Sequence, residues 1–173
     1  MGLDIVAYSN VEKIDNPVED EYGYVEGAVK AYVLGDFDRS LRGLEDGAWY
    51  RSTDESDEVD FRAGSYSGYN LWRDSLAQIA LGVPANNIWS DPDKYKDEPF
   101  FELINFADNE GTIGPIAARD LAMDFATSRD DIERKAKEHF TEDEGDVDWF
   151  MQKYDDWTEA CEIASHDGLI LFC

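Results

Sequence analysis

The segment at residues 61–73, F-R-A-G-S-Y-S-G-Y-N-L-W-R, constrains the fold most, because it joins a strand to a helix through small residues. Gly64 and Gly68 adopt positive φ angles without steric cost, so the chain can turn sharply here. Asn70 is a short polar residue of the type that begins helices. We therefore predict that Asn70 caps a helix that runs from Leu71.

The same loop is a candidate anion site, because a helix N-terminus that follows glycines exposes free N–H groups. Two arginines flank it in a chain with only 15 basic residues. The candidate ligand-binding residues are Arg62, Ser65, Tyr66, Ser67, Tyr69, Asn70 and Arg73. The alternative is a strand-to-helix turn whose tyrosines pack inward and whose arginines pair with carboxylates. The spacing matches neither a Walker loop nor the dinucleotide-binding glycine pattern, so it identifies no nucleotide motif.

Acidity dominates the composition: 40 Asp and Glu residues against 15 Lys and Arg give a net charge of −25. Such a surface repels nucleic-acid phosphates and anionic membranes, so we expect neither as a partner. It favours a basic partner protein, or a decoy that presents carboxylates where a DNA-binding protein expects phosphates. The alternative is adaptation to a salty cytoplasm, or solubility alone.

The remaining composition indicates a single globular domain at residues 1–173, since 43% of the residues are hydrophobic and 13% are aromatic. No apolar run approaches the roughly 20 residues that a membrane-spanning helix needs. The two cysteines form no metal or disulfide spacing, which suits a reducing compartment, so we expect a cytoplasmic protein.

Apolar periodicity predicts four strands, of which the middle two form a hairpin and the terminal two share a sheet: 3–8, 48–51, 59–62 and 169–172. It predicts helices at 71–81, about 115–126, 130–139 and about 147–164, with a break at 141–146. Residues 28–34 and 100–106 fit a helix or a strand equally. We expect a loop with one helical turn at 35–47 and a surface loop at 86–98. These elements specify an α+β domain with a mostly antiparallel sheet and three to four helices.

A second candidate site lies at 108–115, where Asp108 and Glu110 precede a helix start at Gly114 and Pro115. Two carboxylates at this spacing could hold a divalent cation or act as an acid–base pair. The loop lacks the further ligands of an EF-hand, and acids near a helix start also complement the helix dipole. We therefore expect no metal site, and count both carboxylates as candidate ligand-binding residues.

No pattern in the sequence identifies a catalytic residue or a cofactor site. His139 and His166 belong to no metal-ligand motif, and Ser65 and Ser67 to no nucleophile elbow. Cys161 lies on the apolar face of the last predicted helix, where we expect a buried, inert thiol.

Four blocks carry a family resemblance: M-G-L-D-I at the start, the 61–73 segment, P-F-F-E-L-I-N-F-A-D-N-E-G-T-I-G-P at 99–115, and W-T-E-A in the last helix. Together they resemble a group of uncharacterised proteins from bacteria and their phages, with no assigned activity. The chain differs from that pattern at Asn109, where the family is expected to have Cys, and at Cys173, where His is expected. These differences argue against a shared metal or thiol role. The phage association implies, by analogy, an inhibitor or host-interaction protein.

Two functional hypotheses follow. The leading one is a non-enzymatic interaction protein of phage or prophage type that inhibits a basic host protein, as a DNA mimic or otherwise, through acidic stretches such as residues 54–58. The competing one is a small-anion or nucleotide-binding protein or enzyme, in which the 61–73 and 108–115 loops meet in one pocket.

Overall fold

The computed structural model describes residues 2–141 and 144–173. The strands in this part of the chain are β1 (Leu3–Tyr8), β2 (Glu12–Lys13), β3 (Val29–Lys30), β4 (Trp49–Arg51), β5 (Glu58–Gly64), β6 (Gly111–Ile113) and β7 (Leu169–Phe172). The helices are α1 (Tyr66–Leu81), α2 (Ala85–Ser90), α3 (Pro92–Tyr95), α4 (Phe101–Ile104), α5 (Pro115–His139) and α6 (Glu144–Ala164). The predicted α+β class is confirmed, with six helices in the described part of the chain rather than three or four.

The strands form two antiparallel sheets: a main sheet in the order β5-β1-β7-β6, and a small sheet in the order β2-β4-β3. β1 lies between β5 and β7, so the two terminal strands share a sheet as predicted. The predicted hairpin is wrong, because β4 pairs with β2 and β3 while β5 pairs with β1. The polar segment between β4 and β5 carries the chain from the small sheet to the main sheet. Alternation of apolar residues therefore predicted where both strands lie, but not which strands they pair with.

Each face of the main sheet has its own apolar contacts. Leu3, Ile5 and Ala7 alternate along β1 and are fully buried in the larger core, which also contains residues of α1, α5 and α6. On the opposite face, Leu169 joins Tyr50 of the small sheet in a second cluster. The main sheet is therefore the middle layer, between the helices and the small sheet.

Helix α1 begins at Tyr66 rather than at Leu71, because Ser65 supplies the cap. Ser65 has extended backbone angles, and its Oγ accepts a hydrogen bond from the Gly68 N–H at 3.0 Å. This bond satisfies one of the donors that a helix start leaves free. Asn70 therefore lies inside the helix and does not cap it. The predicted stop is confirmed, since Gly82 takes the left-handed conformation at φ 70°.

The predicted helices at 115–126 and 130–139 are a single helix, α5, which begins after Gly114 with Pro115 in its first turn, as predicted. No glycine or proline interrupts residues 116–139, and ion pairs one turn apart support the polar half. Arg129 pairs with Glu133 at 3.2 Å, and Arg134 with Glu138 at 2.8 Å. Of the predicted break at 141–146, residues 144–146 belong to α6, so that part of the prediction is wrong, and residues 142 and 143 lie outside the described residues.

Three short helices account for the larger helix count. Residues 86–98, predicted as a surface loop, contain most of α2 and all of α3, and residues 100–106 contain α4. Residues 28–34 contribute the two-residue strand β3, and residues 35–47 form turns without a helix. Helices of four to six residues are too short to show a 3.6-residue period, so apolar periodicity does not predict them.

The Ser65 cap can be tested by a pair of substitutions. Ser65→Ala removes the only side-chain acceptor described at the start of α1, and should lower the free energy of unfolding by about 1 kcal/mol. The matched control is Ser67→Ala, in an exposed position of the first turn, which should change it by less than about 0.5 kcal/mol. Urea denaturation measures both, and equal losses would show that Ser65 does not cap the helix.

Candidate functional site

The two sheets diverge to leave an inter-sheet cleft of about 530 Å³. Leu171 and Phe172 of β7 line it, together with Cys173, which follows that strand. Four aromatic side chains also line it: Tyr24, Tyr32, Trp49 and Tyr66. The charged side chains that line it are Lys30 and Glu110. The cleft therefore combines aromatic walls with one charge of each sign.

Glu110 is held in the cleft by Tyr32. The Tyr32 hydroxyl donates to Glu110 Oε2 at 2.8 Å, and the Tyr32 backbone N–H donates to Thr112 Oγ1 at 3.2 Å. Burial, together with the Glu110 carboxylate, raises the pKa of Tyr32 to about 12, so its phenol remains a donor at neutral pH. Glu110 is half-buried and forms no ion pair with any described residue.

Gly111 allows the chain to pass from Glu110 into β6. Its φ of 130° is a conformation that residues with a side chain rarely adopt, and an added Cβ would lie 2.8 Å from Cζ of Phe106. The close approach to Phe106 sets the position of the neighbouring Glu110. Asn109 and Cys173 also line the cleft.

Lys30 is the cationic side chain of the cleft. Its Nζ lies 5.5 Å from the ring centroid of Trp49, a cation–π distance, and it pairs with no carboxylate among the described residues. Trp49 is fixed in turn, because its indole Nε1 donates to Glu19 Oε1 at 3.1 Å. One aromatic wall of the cleft thus already faces a cation from the chain itself.

The structure joins the two loops singled out in the sequence. Asn70 Nδ2 donates to Asp108 Oδ2 at 2.6 Å, which ties α1 to the segment before β6. Tyr66 from the first loop and Glu110 from the second line the same cleft. Of the nine candidate residues, only these two line it.

The other candidate residues have structural contacts outside the cleft. Arg62 is exposed and pairs with Asp4 at 3.1 Å. Ser65 caps α1, and Ser67 Oγ lies 3.1 Å from Ser65 Oγ. Tyr69 is fully buried in the core, where burial raises its pKa. Neither Arg62 nor Arg73 lines the cleft, so the arginines expected to bind an anion do not converge there.

Arg73 has an internal structural role. Its side chain donates from Nη1 to the backbone carbonyls of Ile104, at 3.3 Å, and Phe106. The guanidinium carbon lies 5.1 Å from the Tyr69 ring centroid and 4.7 Å from that of Trp89, so the cation lies close to two aromatic rings. Only 5% of the residue is exposed. Arg73 therefore ties α1 to the end of α4.

Sequence reasoning missed four residues of the cleft: Tyr24, Lys30, Tyr32 and Trp49. The first three lie in a segment that showed no clear helix or strand pattern. The signal available was the density of tyrosine in an otherwise polar stretch, E-Y-G-Y-V-E-G-A-V-K-A-Y at residues 21–32. Exposed aromatic residues in polar loops are typical of recognition surfaces.

The inert-thiol prediction for Cys161 is supported, because the residue is fully buried and burial raises the pKa of its thiol. Across residues 2–141 and 144–173, no group of three or more His, Cys, Asp or Glu side chains is placed to hold a metal ion. In the same part of the chain, no helix is long and apolar enough to cross a membrane.

Comparison with known proteins gives no relative: no family model, curated protein or solved structure matches this chain.

The contrast between the two flanking arginines is testable. Arg73→Ala removes the described donor to the Phe106 carbonyl and one of two donors to the Ile104 carbonyl, which keeps Trp89 Nε1 at 2.8 Å. It also removes a cation from two aromatic rings, so it should lower the free energy of unfolding by about 2 kcal/mol. Arg62→Ala removes one exposed ion pair and should cost less than about 1 kcal/mol. Urea denaturation of both variants measures the difference. A small loss in both would contradict the internal role of Arg73.

Proposed function

We propose that the protein is a non-enzymatic interaction protein that binds a basic partner protein through an acidic face. We define the acidic face by two segments, 15–26 and 54–60, which carry ten exposed carboxylates: Asp15, Glu19, Asp20, Glu21, Glu26, Asp54, Glu55, Asp57, Glu58 and Asp60. The observation that carries the proposal is that none of the ten takes part in the ion pairs of the described residues.

Part of the acidic surface elsewhere is neutralised within the chain, most clearly on α5. On α5, Asp131 pairs with Arg134, and Glu133 pairs with both Arg129 and Lys137 at 3.2 and 2.7 Å. These pairs make that helix face electrostatically mixed. The acidic face has no ion-pair partner in the part of the chain that the structure describes, so its negative potential is directed to solvent, where it attracts a basic protein.

The two acidic segments border one region of the surface. Gly27 follows the first segment, Glu58 belongs to the second, and both line a cavity of about 350 Å³ with Ser52. A basic partner that contacts this region would therefore meet Glu58 of the second segment, and Glu26 of the first lies next in sequence to the lining residue Gly27. The fields of several neighbouring carboxylates add at an approaching charge. A single exposed ion pair, by contrast, contributes little to binding.

The second segment is held in a fixed conformation. The Ser9 backbone N–H donates to the Asp57 carbonyl at 3.0 Å, and the Asp57 N–H donates to Ser9 Oγ at 2.8 Å. Asn10 Nδ2 donates to the Glu55 carbonyl at 3.0 Å. Because these bonds fix the backbone of the loop, less conformational entropy is lost when a partner binds, which favours a recognition role.

In one form of the proposed function, the protein inhibits a DNA-binding protein. A partner that binds DNA phosphates presents clustered Lys and Arg side chains, and exposed carboxylates can compete for them. The resemblance to phage and bacterial proteins supports a host protein as the partner, by analogy. The arrangement of Arg62 and Arg73 gives the small-anion alternative no comparable support.

Charge reversal tests the acidic face, with an arginine-rich peptide as the probe. Changing Asp54, Glu55, Asp57 and Glu58 to Lys should slow association at low salt by roughly tenfold or more, because it removes the attraction that steers encounter. The effect should shrink at high salt, where charges are screened over about 3 Å at 1 M. Stopped-flow fluorescence of a labelled peptide measures the rates.

The matched control makes the same change in net charge on another surface. Four exposed carboxylates of α6 serve for this: Asp146, Asp148, Glu159 and Glu162, each changed to Lys. Helix α6 contributes to the core on the side of the main sheet away from the small sheet. The association rate of the peptide should fall clearly less in this variant than in the first. Equal losses would show that binding follows net charge alone, and no binding by the unchanged protein would reject the proposal.

A further inference from the structure

The inter-sheet cleft adjoins the acidic face. Ala28 and Val29 line the cleft and also the 350 Å³ cavity that borders the acidic segments. A chain docked along the acidic face would therefore pass the mouth of the cleft. The cleft, at about 530 Å³, has room for a long side chain.

The walls of the cleft are suited to a positive charge. Tyr24, Tyr32, Trp49 and Tyr66 line it, and the π face of a tyrosine or tryptophan attracts a cation within about 6 Å. The contact of Lys30 with Trp49 at 5.5 Å shows this attraction inside the cleft itself. The surfaces of Tyr24, Tyr32 and Tyr66 have no cation of the described chain over them.

Glu110 supplies the counter-charge. Its Oε2 accepts from the Tyr32 hydroxyl at 2.8 Å, while among residues 2–141 and 144–173 its Oε1 has only a long contact of 3.4 Å from Asn109 Nδ2. A half-buried carboxylate without a cationic partner is unfavourable, and a cation with N–H donors relieves that cost. One carboxylate oxygen is thus left for a ligand, next to aromatic walls.

We propose that the cleft binds the guanidinium or ammonium group of a basic side chain on the partner protein, with Glu110 as counter-ion and the tyrosine rings as walls. The inference rests on the proposed function and specifies how the partner is anchored. Lys30 opposes the incoming charge, and its removal should therefore strengthen binding. An anionic ligand would reverse both dependences, since Lys30 would attract it and Glu110 would repel it.

The experiment uses N-acetyl-arginine amide, which carries a guanidinium and no other charge, and N-acetyl-citrulline amide as its uncharged analogue. Binding is followed by NMR titration of the protein, with the indole N–H of Trp49 and the tyrosine rings as reporters. The arginine probe should shift the cleft resonances, and the citrulline probe should bind at least about fivefold more weakly.

Three variants locate the interaction. Glu110→Gln keeps an acceptor for Tyr32 but removes the charge. It should weaken binding of the arginine probe about fivefold or more. Lys30→Gln should strengthen it. Glu55→Gln removes one carboxylate of the acidic face outside the cleft, and should leave binding of this small probe nearly unchanged. Tyr24→Leu, at an exposed position where the fold does not depend on the ring, should weaken it.

The outcomes separate this inference from the proposed function. If Glu110→Gln and Lys30→Gln leave the arginine probe unaffected, or if citrulline amide binds equally well, the cleft is not a cation site. The proposed role of the acidic face would still be supported if the arginine-rich peptide binds and the charge reversal of Asp54, Glu55, Asp57 and Glu58 slows its association at low salt. If acetyl phosphate binds instead and Lys30→Gln weakens it, the cleft is an anion site and the inference is overturned.

Discussion

The buried Arg73 guanidinium is the interaction on which the rest of this structure depends. It lies between the rings of Tyr69 and Trp89 and donates to the carbonyls of Ile104 and Phe106, so one side chain holds together α1, α2 and the end of α4. The segment that leaves Phe106 leads through Asp108 to Glu110. A cation in the interior therefore anchors the start of the segment that leads to the cleft carboxylate.

The distribution of the few basic residues accounts for the acidic face. Arg39 and Arg42 both contact the buried carboxylate of Glu102, at 3.2 and 3.1 Å, and join the 35–47 segment to the helices. A buried carboxylate without such partners would be strongly destabilising. Because cations are committed to sites like these and to the ion pairs of α5, residues 15–26 and 54–60 are left without any. The surface potential follows from where the fold needs positive charge.

Local sequence signals predicted where strands and helices lie, whereas long-range contacts determine which strands pair and which side chains form the cleft. Strands 3–8 and 169–172 and the helix boundaries at Gly82 and Gly114 could be predicted, because alternation, glycine and proline act over a few residues. The partners of β4 and β5 could not, since pairing depends on the whole sheet. The cleft could not be predicted for the same reason, because Tyr32 and Glu110 are 78 positions apart in the sequence. Only Tyr66 and Glu110 were found in advance, as members of two distinctive loops.

The pairing of β1 with β7 bears on how the chain folds in time. The backbone groups of Asp4 and Cys173 are hydrogen-bonded to each other in both directions, at 3.0 and 2.9 Å, so the middle of the main sheet joins residues from opposite ends of the sequence. Closing so long a loop costs entropy before the contacts repay it, and folding rates fall as such contacts become more distant in sequence. During synthesis, β1 and β5 must wait as an incomplete sheet until β7 emerges. Charged residues along the β5 edge, such as Glu58 and Asp60, discourage association with other chains during that interval.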